Sequence, residues 1–150
     1  EWNENAPEEV KKIFQGLHAG DIIYFELDGN GKLTNLDRVF DITKADQLGG
    51  TGVKGEVHGT NAGGVHAEKR SWYVQITKKL SNYFFEYTGV EESSGRLQKM
   101  NTSANIYRMT VRGNKVTTET ITWDDVQNGD NVFFYAATNT IWTMIVIDKR

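Results

Sequence analysis

Hydrophobic and polar positions alternate with period two along most of this chain. "DIIYFELD" (21–28) places Ile23, Phe25 and Leu27 on one side and Tyr24 and Glu26 on the other. "SWYVQITKK" (71–79) sets Trp72, Val74 and Ile76 against Tyr73, Gln75 and Thr77, and "NYFFEYT" (82–88) follows a short turn at Leu80-Ser81 with Tyr83, Phe85 and Tyr87 in register. "NIYRMTVRGNKVTTETITW" (105–123) reads as a hairpin bent at Gly113-Asn114. "NVFFYAATNTIWTMIVID" (131–148) reads as a second, bent at Thr138-Asn139. One segment has helical spacing instead. "APEEVKKIFQGL" (6–17) brings Val10, Ile13 and Leu17 to one face, with Pro7 in the first turn, Glu8-Glu9 at the positive end of the dipole and Gly20 as the stop.

These elements predict an all-β fold with one N-terminal helix, forming a single β-rich domain over residues 1–150. A small barrel or two packed antiparallel sheets both satisfy the pattern. Residues 48–66, "LGGTGVKGEVHGTNAGGVH", are dense in glycine and read as a long loop that carries at most a short strand at "VKGEVHG".

The chain also repeats itself. "LHAGDIIYFELDGNGKLTNLDRVFD" (17–41) and "VQNGDNVFFYAATNTIWTMIVIDKR" (126–150) share an apolar residue, two spacers, Gly-Asp and a strand. Ile23 and Phe25 align with Val132 and Phe134; with a turn one residue shorter in the second copy, Leu33 aligns with Ile141 and Val39 with Ile147. Glycine supplies positive φ and aspartate bonds the nearby backbone, so the pair turns the chain into each strand. The repeat bears on "ELDGNGKLTNLD" (26–37), whose side chains have EF-hand spacing. The second copy replaces that loop with "AATNT", period-two alternation rather than a helix precedes it, and Asp37 stands where a bidentate Glu belongs. The segment reads as a hairpin tip, with no metal.

The apolar-x-x-Gly-Asp-x-[Ile/Val]-x-[Phe/Tyr] units at 17–41 and 123–148 resemble the β-rich domains that follow or flank the S-layer-homology repeats of bacterial surface proteins. The likeness covers about a third of the chain, and no S-layer-homology repeat is itself visible. It implies an extracellular, non-catalytic module at the bacterial cell surface and names no ligand.

Composition narrows the chemistry. A net charge of −3 without clustered Lys and Arg points away from nucleic acid as a partner and disfavours an oligonucleotide-binding barrel. The absence of cysteine removes disulfides, thiolate metal sites and thiol nucleophiles. The longest apolar run, "IWTMIVI" (141–147), is strand length, so no membrane insertion is expected. The chain opens "EWNENAPEEV" and reads as a piece of something longer. His58 and His66 read as loop histidines despite Glu56 and Glu68 nearby; His18 reads as a helix end. The pairs Glu8-Glu9, Glu91-Glu92 and Asp124-Asp125 suit a helix start, a turn and a short helical turn capped by Thr122, rather than carboxylates facing across a cleft. No catalytic motif is present, so neither an enzyme nor a cofactor is expected.

The aromatic content is the better lead. Four Trp, six Tyr and seven Phe exceed one small core. Most should fill the interior, while Tyr73, Phe84, Phe133, Tyr135 and Trp142 face opposite to their regular strand neighbours and form the candidate outer patch. The expected function is a structural or adhesive module of a secreted, self-assembling bacterial surface layer or fibre, joined to itself or to other surface proteins. The alternatives are a virion protein, or a carbohydrate-binding module in which exposed aromatics hold a polysaccharide.

Overall fold

The structure, a computed structural model, describes residues 4–5, 8–46, 48, 70–88, 96–137 and 140–150. Among these residues a short helix, α1 (Glu8–Gln15), precedes eight strands: β1 (Ile22–Leu27), β2 (Leu33–Phe40), β3 (Arg70–Lys79), β4 (Phe84–Thr88), β5 (Arg96–Arg112), β6 (Lys115–Ile121), β7 (Asn131–Ala137) and β8 (Thr140–Lys149). Single 3-10 turns follow β2 at Ile42–Lys44 and β6 at Trp123–Asp125.

Five strands close a barrel in the order β4-β3-β7-β8-β5 and back to β4. Every pairing in the ring is antiparallel except β5 with β8. The first strand of the ring, β3, bends so that residues 70–75 pair with β7 and 75–79 with β4. This is the five-stranded Greek-key arrangement of OB-type barrels, so the charge that disfavours an oligonucleotide ligand does not exclude the barrel itself. β6 extends the sheet along the C-terminal half of β5, and β1 and β2 form a separate two-stranded sheet.

Alternation explains the filling. Val74 and Ile76 of β3, Phe85 and Tyr87 of β4, Met100 and Ile106 of β5, Val132 and Phe134 of β7, and Ile141, Met144 and Val146 of β8 point into the barrel. Trp72 lies against this cluster and stacks on Phe134 with ring centroids 6.3 Å apart. The intervening residues point outward, yet on one side they are apolar too: Tyr73, Met109, Phe133 and Ile147 meet Val39, Phe40 and Ile42. The β1–β2 hairpin thus lies over the outer wall of β3, β7, β8 and β5. Its far side carries Leu33 and Leu36, which α1 covers through Val10, with Ile13 and Leu17 packed against them. The helix packs on the sheet as its spacing required. It ends at Gln15, however, and Gly20 does not cap it: Gly20 belongs to the Gly-Asp step.

Both hairpins enter through the same local structure. Gly20 and Gly129 have φ of 99° and 93°. The Asp21 carboxylate accepts a 2.8 Å hydrogen bond from the His18 amide, and Asp130 accepts one of 2.8 Å from the Gln127 amide. Pairing then runs in parallel. Ile23, Tyr24, Phe25 and Glu26 face Arg38, Asp37, Leu36 and Asn35; Val132, Phe133, Phe134 and Tyr135 face Val146, Ile145, Met144 and Thr143. A single offset along each strand maps the first set onto the second. A bulge recurs at the matching place, between Glu26 and Leu27 and between Tyr135 and Ala136, and skips Thr34 and Trp142; the first hairpin adds a second shift that skips Val39.

The first tip is a turn. Asp28 Oδ1 accepts from the amides of Asn30 and Lys32 at 2.8 and 2.9 Å, and Gly31 has φ 78°. A strand, β1, leads into it where an EF-hand would have a helix. The turn expected at Thr138-Asn139 lies outside the described residues; so do His58, His66, Glu56, Glu68, Glu91, Glu92 and, apart from Leu48, the glycine-rich stretch 48–66. Asp125 does close the capped turn expected at Thr122, accepting from its amide at 2.9 Å and its hydroxyl at 3.1 Å. That amide, with the hydroxyl, holds the Asp125 carboxyl below its ordinary range.

Candidate functional site

Two of the five aromatics expected on an outer patch do not reach the surface. Tyr73 and Phe133 face out of the barrel, as alternation requires, but the β1–β2 hairpin covers them and leaves 1% and 4% of each exposed. Phe40 meets Tyr73 edge-on at 4.7 Å, and the Tyr73 hydroxyl donates to the Ala45 carbonyl. Burial pushes the Tyr73 hydroxyl up to about 12. Both residues serve the core between hairpin and barrel. Phe84 is half-buried with the Lys99 ammonium 5.5 Å from its ring. Tyr135 is half-buried, and burial raises its hydroxyl above the ordinary range. Trp142 is 43% exposed. The five therefore form no continuous patch.

The exposed apolar residues cluster elsewhere. Ile23, Phe25 and Leu27 are 36%, 51% and 52% exposed, all on the side of β1 away from the barrel. On the same face of the partner strand, Leu33 and Leu36 lie under α1, so the helix covers one half of this small sheet and leaves the other open. Among the described residues β1 pairs only with β2, so its second edge presents backbone donors and acceptors outward. Beside that edge runs an apolar groove of about 300 Å3, lined by Ile22 and Tyr24 of the hairpin and by Phe133, Tyr135 and Ile145 of the barrel wall. An extended segment laid along β1 would bond its backbone to the strand. Its alternate side chains would fall into the groove and onto Phe25.

A second concavity, of about 230 Å3, opens at one end of the barrel. Three local features build it. The β3–β4 connection is a two-residue turn with Asn82 at φ 60° and Tyr83 at φ 66°, both left-handed. Such turns favour Asn-Gly; tyrosine in the second place costs about 1–2 kcal/mol. Tyr83 is 40% exposed, so burial of its ring does not offset that cost. Across from it, β5 bulges between Met100 and Asn105, where its register against β8 shifts. Asn101 Oδ1 accepts from the Ser103 amide at 2.8 Å and fixes the bulge. The third wall is the turn after β6, where Lys79 holds Trp123 by donating to its carbonyl at 2.6 Å and lying 4.6 Å over its ring.

A third grouping, His18, Asp21 and Asp41, has the composition of a cation site. Arg38 already occupies its centre, 3.4 Å from Asp21 and 3.7 Å from Asp41, while donating to the Gly16 carbonyl at 3.0 Å. Asp21 also accepts from the Ile42 amide at 2.8 Å. Burial pulls the Asp41 carboxyl upward, but bonds from the Thr43 hydroxyl and amide, with Arg38 and Lys44 nearby, hold it below its ordinary range. The cluster is an ionic clasp tying the end of α1 to both ends of the hairpin.

Sequence patterning missed Tyr83 and the bulge for a shared reason. Tyr83 continues the alternation of Phe85 and Tyr87, and only Asn82, which tolerates left-handed φ, signals a turn there rather than at Leu80-Ser81. The first half of β5, "RLQKMNTSA", is polar and shows no strand period. No family model, curated protein or solved structure matches this chain.

Proposed function

We propose that this chain is a non-catalytic structural module of a secreted bacterial surface layer or fibre, joined to neighbouring copies by strand addition at β1. One observation carries the reading: an exposed edge strand with three solvent-facing apolar residues, beside a groove that takes alternate side chains. The corresponding edge of β7 shows what such an edge accepts. There β3 runs antiparallel, with Val74, Tyr73, Trp72 and Ser71 opposite Val132 to Tyr135. The matching residues of β1 are Ile23 to Glu26. A six-residue edge is a small contact, so each joint is weak alone. Weak joints suit a layer, where many act together.

Light scattering over a range of concentrations tests this. The native chain should rise above its 17.0 kDa monomer mass as concentration increases, and the Phe25→Lys, Leu27→Lys variant should stay monomeric. A native chain that remains monomeric up to about 1 mM, the weak end of specific association, would overturn the reading.

A further inference from the structure

The cleft at the end of the barrel serves none of this. Its walls combine ring faces with groups that bond hydroxyls. Tyr83 stands exposed at the β3–β4 turn and Trp123 lines the opposite side, with Asn101, Thr102, Thr122 and Asp124 between them. Among the described residues, the Asn101 amide nitrogen, the Thr102 hydroxyl and the Asp124 carboxylate have no hydrogen-bond partner. They offer donors and an acceptor together, the set that a ring bearing several hydroxyls satisfies.

Charge limits the ligand further. Among the described residues no Lys or Arg lines the cleft. Lys79 turns its ammonium to the carbonyls of Trp123 and Val126, and Arg108 is engaged with Glu119 at 3.2 Å. A phosphate or an acidic polymer would meet Asp124 with no cation to offset it. A purely apolar ligand would strip water from Asn101, Thr102 and Asp124 and return no bond. The volume, about 230 Å3, takes a single pyranose ring and its substituents rather than a long chain.

The backbone supplies an independent pointer. A glycine at position 83 would relieve the left-handed strain of the turn, and nothing in the hydrophobic core requires an aromatic there, because Phe85 and Tyr87 already fill the adjoining barrel wall. The ring is held at the mouth of the cleft at a conformational cost.

We propose that this cleft binds one ring of a neutral saccharide, with Tyr83 stacking on the sugar face and Asn101, Thr102 and Asp124 bonding its hydroxyls. The proposal stands apart from strand addition at β1, which uses the opposite hairpin.

The test titrates the full chain with neutral oligosaccharides of glucose and of N-acetylglucosamine, two to six rings long, following tryptophan fluorescence and the amide spectrum. Saturable binding should shift the amides of residues 82–84, 101–104 and 122–124. Tyr83→Gly decides the matter: it should raise the melting temperature by relaxing the turn and weaken binding by roughly tenfold or more. Tyr83→Phe should bind nearly as the native chain does. No saturation by any of these sugars up to about 10 mM, native affinity in Tyr83→Gly, or preferential binding of an anionic phosphosugar would each overturn the proposal.

Discussion

The two Gly-Asp-led hairpins share an entry turn, a pairing register and a bulge, yet they end in opposite environments. In the second, Val132 and Phe134 point into the barrel at 0% and 1% exposure, and β3 takes the outer edge. In the first, the matching Ile23 and Phe25 point to solvent, and among the described residues no strand takes the edge. The matching opposite faces meet: Val39 and Tyr24 of the first hairpin pack with Phe133, Ile145 and Ile147 of the second. Local sequence sets the shape of the unit; whether its inner face is filled depends on which strands are available to close over it. The first hairpin is half of a barrel wall, with α1 over one strand and nothing described over the other.

The largest expected contrast is between the matching phenylalanines. Phe134→Ala empties a tight aromatic cluster and should cost about 3–5 kcal/mol in denaturant unfolding, while Phe25→Ala should change stability by less than about 0.5 kcal/mol. Equal losses would mean that Phe25 is covered and that the two environments are not different. The entry glycines come next. A Cβ at Gly20 would meet Ile42 Cγ1 at 2.9 Å and Val111 Cγ2 at 3.1 Å, whereas at Gly129 it would meet nothing within 4 Å. Gly20→Ala should therefore cost about 2–3 kcal/mol and Gly129→Ala about 1, the latter from positive φ alone.

The entry aspartates should differ more modestly. Asp21 accepts from two amides and faces Arg38, with 2% of its side chain exposed, so Asp21→Ala should cost about 2–3 kcal/mol. Asp130 holds the Gln127 amide, and its loss should cost about 1 kcal/mol. The last effect is alkaline and is read against pH. Tyr73 between the hairpins keeps its proton to about pH 12 in the native state, while the unfolded chain releases it near 10. Its contribution is fully present below pH 10. Across the window up to about 12 the Tyr73 contribution should fall with rising pH by about 1.4 kcal/mol per unit, and Tyr73→Phe should remove that part of the slope and leave the part due to Tyr135.

Much of this architecture was legible from alternation. Trp72, Val74, Ile76, Phe85 and Tyr87 fall inside as their spacing required, the Gly113-Asn114 bend is where β5 meets β6, and the Gly-Asp motif marks both hairpin entries. Period two also identified which residues face outward, but not what lies over them. Tyr73 and Phe133 look like surface aromatics until a second sheet is laid across them, a contact between distant segments that no local pattern encodes. The cleft was hidden differently. It arises where patterns break, at a strained turn and a bulge, and a period-based argument reads both as continuations or as noise.

The central claim, that β1 retains the strand-accepting edge which β3 occupies on β7, is tested most directly with a fluorescein-labelled peptide of β3's own sequence, RSWYVQITKK. Titrated with the native chain, its anisotropy should rise and saturate, and Phe25→Lys should abolish the rise. A flat titration, or one that Phe25→Lys leaves unchanged, would contradict the account.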